Sequence, residues 1–227
     1  MSTPDQDRAT VLSRLRAALG VKGADDLREA AVADRLKCHP RGTIPARASQ
    51  SPEARIAFLE EMLATQGAEV TRAKTPEAAV RAIADTFRGH DLPPLLRMGN
   101  DPLLSHLPWE AAPELDRRFG PAEGQDRSAL SRAVAAAAET GSLFLVSGPD
   151  NPTTLAFLPE THIILIRAGD IFGCYEEVFD RLRAAYGAGT LPRSVTMISG
   201  PSRTADIEQT IVRGAHGPKR LHVVVLG

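Results

Sequence analysis

The stretch from Val195 to Pro218, VTMISGPSRTADIEQTIVRGAHGP, constrains the chain most, because an apolar run, turn chemistry and polar side chains meet in it. Val195–Ile198 reads as a buried strand and Gly200-Pro201 forces a turn. Ile207, Ile211 and Val212 then fall at helical spacing, which predicts a helix over 204–212. The start of such a helix leaves main-chain N–H groups unpaired and presents the positive end of the helix dipole, an arrangement that suits a phosphate or carboxylate. Gly200, Ser202, Arg203, Thr204 and Asp206 are therefore the candidate anion-binding residues. A structural part fits the same residues: Ser and Thr cap helices, and Asp206 and Glu208 answer the dipole.

The order of elements upstream predicts a largely parallel sheet with helices on both faces. Ser51-Pro52-Glu53 opens a helix carrying Ile56, Leu59, Met62 and Leu63, AEVTRA alternates as a short strand, Thr75-Pro76-Glu77 starts another helix, and Leu95–Met98 is the next strand. Such βαβ alternation is the signature of a three-layer α/β domain. From Gly99 to Gln125 four prolines break the chain into short helices and loops. Trp109 lies there as a packing residue, with no aromatic neighbours to make a stacking platform. Leu130–Ala138 is Ala-rich and reads as a helix ended by Glu139-Thr140-Gly141, followed by strands at Ser142–Val146, at the apolar run after His162, and at Leu221–Leu226. His162 reads as structural. Tyr175–Tyr186 reads as an amphipathic helix with a charged face. Residues 1–50 form a helical arm and a breaker-rich linker, with helices beginning at Thr3-Pro4 and near Asp25, and 51–227 form the α/β domain.

Two stretches share one form: LFLVSGPDNPTTLAF and VTMISGPSRTADIEQ both place Ser-Gly-Pro after an apolar strand. Parallel neighbours would bring both loops to one carboxyl edge, with Asn151 and Thr153 facing Ser202 and Thr204 across a cleft. Glu139, an acidic residue at a helix end where it opposes the dipole, is a candidate catalytic group. His216 is a second, since imidazole suits acid–base work near neutral pH, although in a His-Gly-Pro turn it equally holds the turn together.

Charge and composition remove several classes. A formal net charge of -1, from 27 Lys and Arg against 28 Asp and Glu, gives no global field for nucleic acid or an anionic membrane. Any anion site has to be local. The cysteines, Cys38 and Cys174, lie in no CxxC or cluster spacing, so the chain is expected to hold no iron–sulfur cluster, metal or other cofactor of its own. Cys38-His39 lacks further ligands, and Cys174 has no visible base beside it. Neither GxxxxGK[ST] nor GxGxxG occurs, which gives no support to a nucleotide hydrolase or dehydrogenase. No apolar run approaches the length of a membrane span and the polar start lacks a signal-peptide core, so a cytoplasmic protein with reduced thiols is expected.

The run SGPSRTADIEQTIVRGAHGPKRLHVVVL resembles the C-terminal signature of the lactate-utilisation protein C family, the LUD-domain proteins. AAAAETGSLFLVSG and FLPETHIILI match further upstream in the same order, whereas the part before Gln125 matches only in its layout of helices and strands. The resemblance implies the α/β fold shared by sugar-phosphate isomerases, coenzyme A transferases and formyltetrahydrofolate cyclo-ligases. It also implies a component of a system that oxidises L-lactate to pyruvate, with iron–sulfur clusters on partner proteins and a small anionic metabolite as ligand. A homo-oligomer is compatible with it. The ETG of Glu139 is similar to the acidic tripeptide bearing the nucleophilic glutamate of coenzyme A transferases. That analogy keeps open an independent transferase-, isomerase- or cyclo-ligase-like enzyme, beside a non-catalytic anion-binding module.

Overall fold

An unbroken apolar run in a strand has to be covered on both faces, and Thr161–Arg167 and Arg220–Leu226, neighbours inside one sheet, carry such runs at 163–166 and 223–226. The computed structural model describes residues 4–20, 26–187, 189–205 and 211–227. The chain divides into two compact units, Met1–Arg41 and Gly42–Gly227. The first contains helices α1 (Pro4–Ala18) and α2 (Asp26–Cys38); the expected cap at Thr3 lies outside the described residues.

The second unit begins its regular structure with α3 (Pro52–Thr65), β1 (Glu69–Ala73), α4 (Pro76–Gly89) and β2 (Leu95–Met98). Ser51 and Thr75 cap α3 and α4: their side-chain oxygens accept the amides of Ala54 at 3.4 Å and Ala78 at 3.2 Å, each with proline at the first helical position. There follow α5 (Pro102–Ser105), β3 (Asp116–Phe119), β4 (Ser128–Arg132), β5 (Ala135–Ala137) and β6 (Ser142–Val146). The chain continues through β7 (Thr161–Arg167), β8 (Ile171–Phe172), α6 (Tyr175–Tyr186), β9 (Val195–Ile198), β10 (Arg203–Ala205), β11 (Ile211–Arg213) and β12 (Arg220–Leu226).

A 6-stranded sheet runs in the order β1-β12-β7-β4-β2-β3, every neighbouring pair parallel. Ile163 and Leu165 point to one face, where α4 supplies Val80, Ile83 and Phe87 and the buried Trp109 packs beside them, its Nε1 donating to the Leu104 carbonyl at 2.9 Å. Ile164 and Ile166 point to the other, against Leu59 and Leu63 of α3 and against a 4-stranded sheet in the order β8-β5-β6-β9. Val178 and Leu182 of α6 close the far side of that small sheet over Phe144. The expected mainly parallel sheet with helices on both faces is present, with one face shared between α3 and a second sheet. Truncating a side chain such as Ile164 to alanine would cost about 2–5 kcal/mol, because it is packed between the two sheets.

Three expectations are corrected. Leu130–Ala138 is not a helix: Leu130 belongs to β4, and Ala135–Ala137 form β5. Ala133, Ala135, Ala136 and Ala137 are fully buried: Ala133 and Ala136 pack between the two sheets and Ala135 and Ala137 pack on the α6 side, and this packing overrides alanine's helix preference. Thr204 and Ala205, at the expected start of a helix, belong instead to β10, which pairs antiparallel with β11, Thr204 opposite Val212; residues 206–210, Asp206 among them, lie outside the described residues. Finally, β6 and β9 pair antiparallel, Leu143 opposite Ile198 and Val146 opposite Val195, which sends the two Ser-Gly-Pro loops to opposite ends of the small sheet. Asn151 and Thr153 therefore face no cleft with Ser202 and Thr204.

Candidate functional site

Two loops leave β9 and enter β12, and main-chain bonds hold them together. The Ser202 amide donates to the Pro218 carbonyl at 2.8 Å, and the Gly214 amide donates to the Ser202 carbonyl at 3.0 Å. The Ser202 amide is thus committed internally, and the helix start that would have offered a cradle of free amides is absent. What the loops form instead is a cavity of about 160 Å³ near the amino ends of β7 and β12, lined by Ser199, Gly200, Ser202, His216 and His162, with Phe157, Met197 and Leu221 as apolar wall.

Gly200 belongs here for a steric reason: a Cβ on it would lie 2.8 Å from the Cβ of Gln66, at the C-terminal end of α3. Ser199 is tied into a chain of hydroxyls. Its Oγ lies 2.7 Å from Ser142 Oγ, which lies 2.8 Å from Tyr175 Oη and 2.9 Å from Thr140 Oγ1. Each hydroxyl donates once and accepts besides, so the chain can turn its protons toward or away from the cavity.

His162 is completely buried, with Nε2 3.0 Å from Ser131 Oγ and Nδ1 without a partner. Burial pushes its pKa down to about 3, so the ring is neutral, and its free nitrogen has an unmet hydrogen-bonding capacity. His216 lies exposed at the rim. Among the described lining residues none carries a fixed positive charge. The cavity can grip a small polar molecule through hydroxyl and imidazole hydrogen bonds against an apolar wall.

The other expected site residues lie elsewhere. Arg203 Nη2 donates to the Gln66 carbonyl, turning the guanidinium toward the end of α3. Glu139 is buried in a short 3-10 turn, and its Oε1 accepts the Tyr175 amide at 3.1 Å, capping the start of α6. It does not line the cavity, although Tyr175, the residue it fixes, belongs to the hydroxyl chain. His162, read from the sequence as structural, also lines this cavity, and Ser142, Tyr175 and Ser199, which the sequence does not single out as site residues, form the hydroxyl chain that reaches it. Among the described residues no three His, Cys, Asp or Glu side chains gather in a way that could hold a metal ion. No described helix is long and apolar enough to cross a membrane.

Comparison with known proteins places this geometry in a family. The LUD domain family model matches residues 56–226. The chain is 32% identical over 163 residues to lactate utilization protein C of Deinococcus radiodurans, covering 70% of this chain and 71% of that one. It is 34% identical over 97 residues to an uncharacterized protein of Neisseria meningitidis, covering 43% of this chain and 41% of the relative, so it spans less than half the length of that relative. A crystal structure of a DUF162 family protein from Deinococcus radiodurans has the same fold, with a TM-score of 0.60 and 21% identity over 78% of this chain and 99% of that one. With the matched region running from α3 through β12, the chain belongs to the LUD-domain family.

Proposed function

We propose that this chain is a component of a bacterial L-lactate utilisation system, acting in the cytoplasm and holding a small carboxylic acid in the cavity between Ser199–Ser202 and His216–Pro218. The observation that carries the reading is the similarity to a protein named lactate utilization protein C over 71% of its length. The cavity supports it in kind: at about 160 Å³ it suits a metabolite of a few carbons. Ser199 and Ser202 offer hydroxyl protons to a carboxylate, Leu221 and Phe157 offer a surface to a methyl group, and the free nitrogen of neutral His162 offers a partner to a hydroxyl or carbonyl oxygen.

Oxidation of an α-hydroxy acid to an α-keto acid releases electrons and protons together. In this reading the two electrons leave through iron–sulfur partner proteins and the two protons pass to solvent, one of them by way of His216 at the rim, while this chain binds and orients the acid. The test is growth on L-lactate after deletion of the gene, with return of growth on complementation by the intact chain. Undiminished lactate consumption in the deletion strain would remove the reading.

A further inference from the structure

A second cavity, of about 440 Å³, opens at the opposite end of the six-stranded sheet. Two of its charged lining residues stand at the carboxyl ends of parallel strands: Arg132 is the last residue of β4, and Asp101 follows β2. Open parallel sheets bind ligands at this edge. The volume is in the range of about 300–1,000 Å³ usual for small-molecule sites.

The loop 147–151 walls the cavity and is held in place. Gly148 and Asn151 exchange main-chain bonds at 3.3 and 3.2 Å, and the Asn151 side chain donates to the Val146 carbonyl at 3.0 Å. Gly99 admits the loop, since a Cβ there would lie 1.9 Å from the Asp150 carbonyl oxygen.

The charged groups at the base are near one another without being satisfied. Arg132 lies 3.5 Å from Asp101 Oδ2 and 3.9 Å from Oδ2 of Asp170, a residue outside the cavity lining, both longer than a normal charged hydrogen bond. Arg132 Nε is buried with no hydrogen-bond partner. Asp101 is itself fixed, its Oδ1 accepting the Leu103 amide at 2.9 Å. Donor and acceptor capacity thus lie side by side. A phosphate or carboxylate would meet the charges of Asp101 and Asp150, and an ammonium would meet Arg132. A hydroxyl suits both, because it donates to a carboxylate and accepts from a guanidinium at once. Opposite this base, Val134, Tyr186, Leu191 and Pro192 form an apolar wall.

We propose that this cavity is a second ligand site, separate from the His162 cavity, for an uncharged molecule that presents a vicinal diol from a ring with an apolar face, as a nucleoside or a sugar ring does.

Calorimetric titration of the full chain with adenosine and with methyl β-D-ribofuranoside tests it, using 2′,3′-dideoxyadenosine as the probe without a diol and adenosine monophosphate as the charged probe. Adenosine or the glycoside is expected to bind saturably. Binding of adenosine alone identifies a nucleoside, and equal binding of the glycoside identifies the sugar as sufficient. Loss of the diol or addition of the phosphate should weaken binding at least tenfold. Asp101→Asn should do the same with an unchanged unfolding midpoint, since asparagine caps α5 as aspartate does. If Asp101→Asn lowers the midpoint, Asp150→Ala on the exposed loop replaces it and should weaken binding at least threefold. Absence of saturable binding by both diol probes, or binding indifferent to removal of the diol or of the carboxylate, overturns the proposal.

Discussion

Arg203 donates from Nη2 to the main-chain carbonyl of Gln66, so the arginine of the SGPSRTAD run closes the end of α3 while its neighbours Gly200 and Ser202 line the cavity. Helix ends leave carbonyls without partners, and a guanidinium there answers both the missing hydrogen bond and the negative end of the dipole. Arg203→Ala should therefore lower stability by about 0.5–1.5 kcal/mol in denaturant unfolding. Affinity for small acids should stay within about twofold, below the 1.4 kcal/mol that a tenfold change represents.

Gly200 should tolerate no side chain. With the Cβ of Gln66 2.8 Å from where its own would stand, Gly200→Ala has to separate the loop from α3. A cost of about 1–3 kcal/mol is expected from such overpacking. Thermal unfolding of the variant measures it, and a shift in the cavity's affinity should accompany the loss.

Glu139 holds the start of α6 through the Tyr175 amide. Glu139→Gln keeps an acceptor and should unfold near the wild-type midpoint. Glu139→Ala leaves the amide unpaired in a buried turn and should cost about 1–2 kcal/mol. Equilibrium unfolding of the pair distinguishes a cap from a purely chemical role, in which both variants would be equally stable.

These residues show where the sequence was legible and where it was not. Strands β2 and β6 and helix α6 stand where apolar runs and caps predict them, because each is specified by its own residues; β9 also stands in place, but it is half-buried, with Met197 exposed, where its apolar run predicts a buried strand. The β4–β5 segment has a helical composition because alanine favours helices locally, whereas Ala136 fits between two sheets and Ala135 and Ala137 fit under α6, a property of partners distant in sequence. Within 204–212 the described residues Thr204, Ala205, Ile211 and Val212 pair as antiparallel strands, which apolar residues at helical spacing do not exclude. Gly200, Ser202 and His216 were picked for an anion cradle at a helix start. They do meet in one cavity, though through the bond between Ser202 and Pro218 instead of a helix N-terminus. Strand β3, with its exposed DRRF, carries no apolar alternation to announce it.

Stability should fall in mild acid. An unfolded histidine takes up a proton below about pH 6.5, while burial holds folded His162 neutral down to about 3, and burial lowers His222 in the same direction. Below pH 6.5 the unfolded state thus binds more protons, so folding free energy drops as pH falls through that window, with His162 contributing up to about 1.4 kcal/mol per pH unit. Urea unfolding between pH 7 and pH 4 measures the slope, and His162→Gln should flatten it.

The cavity between the Ser199 loop and the His216 turn is where a small acid would be held. Calorimetric titration of L-lactate into the full chain and into Ser202→Leu, whose larger side chain occupies that space, examines it. Saturable binding by the wild type, weakened at least tenfold in a variant that unfolds at an unchanged midpoint, is the predicted result. Equal affinity in the two proteins, or no binding to the wild type, would contradict it.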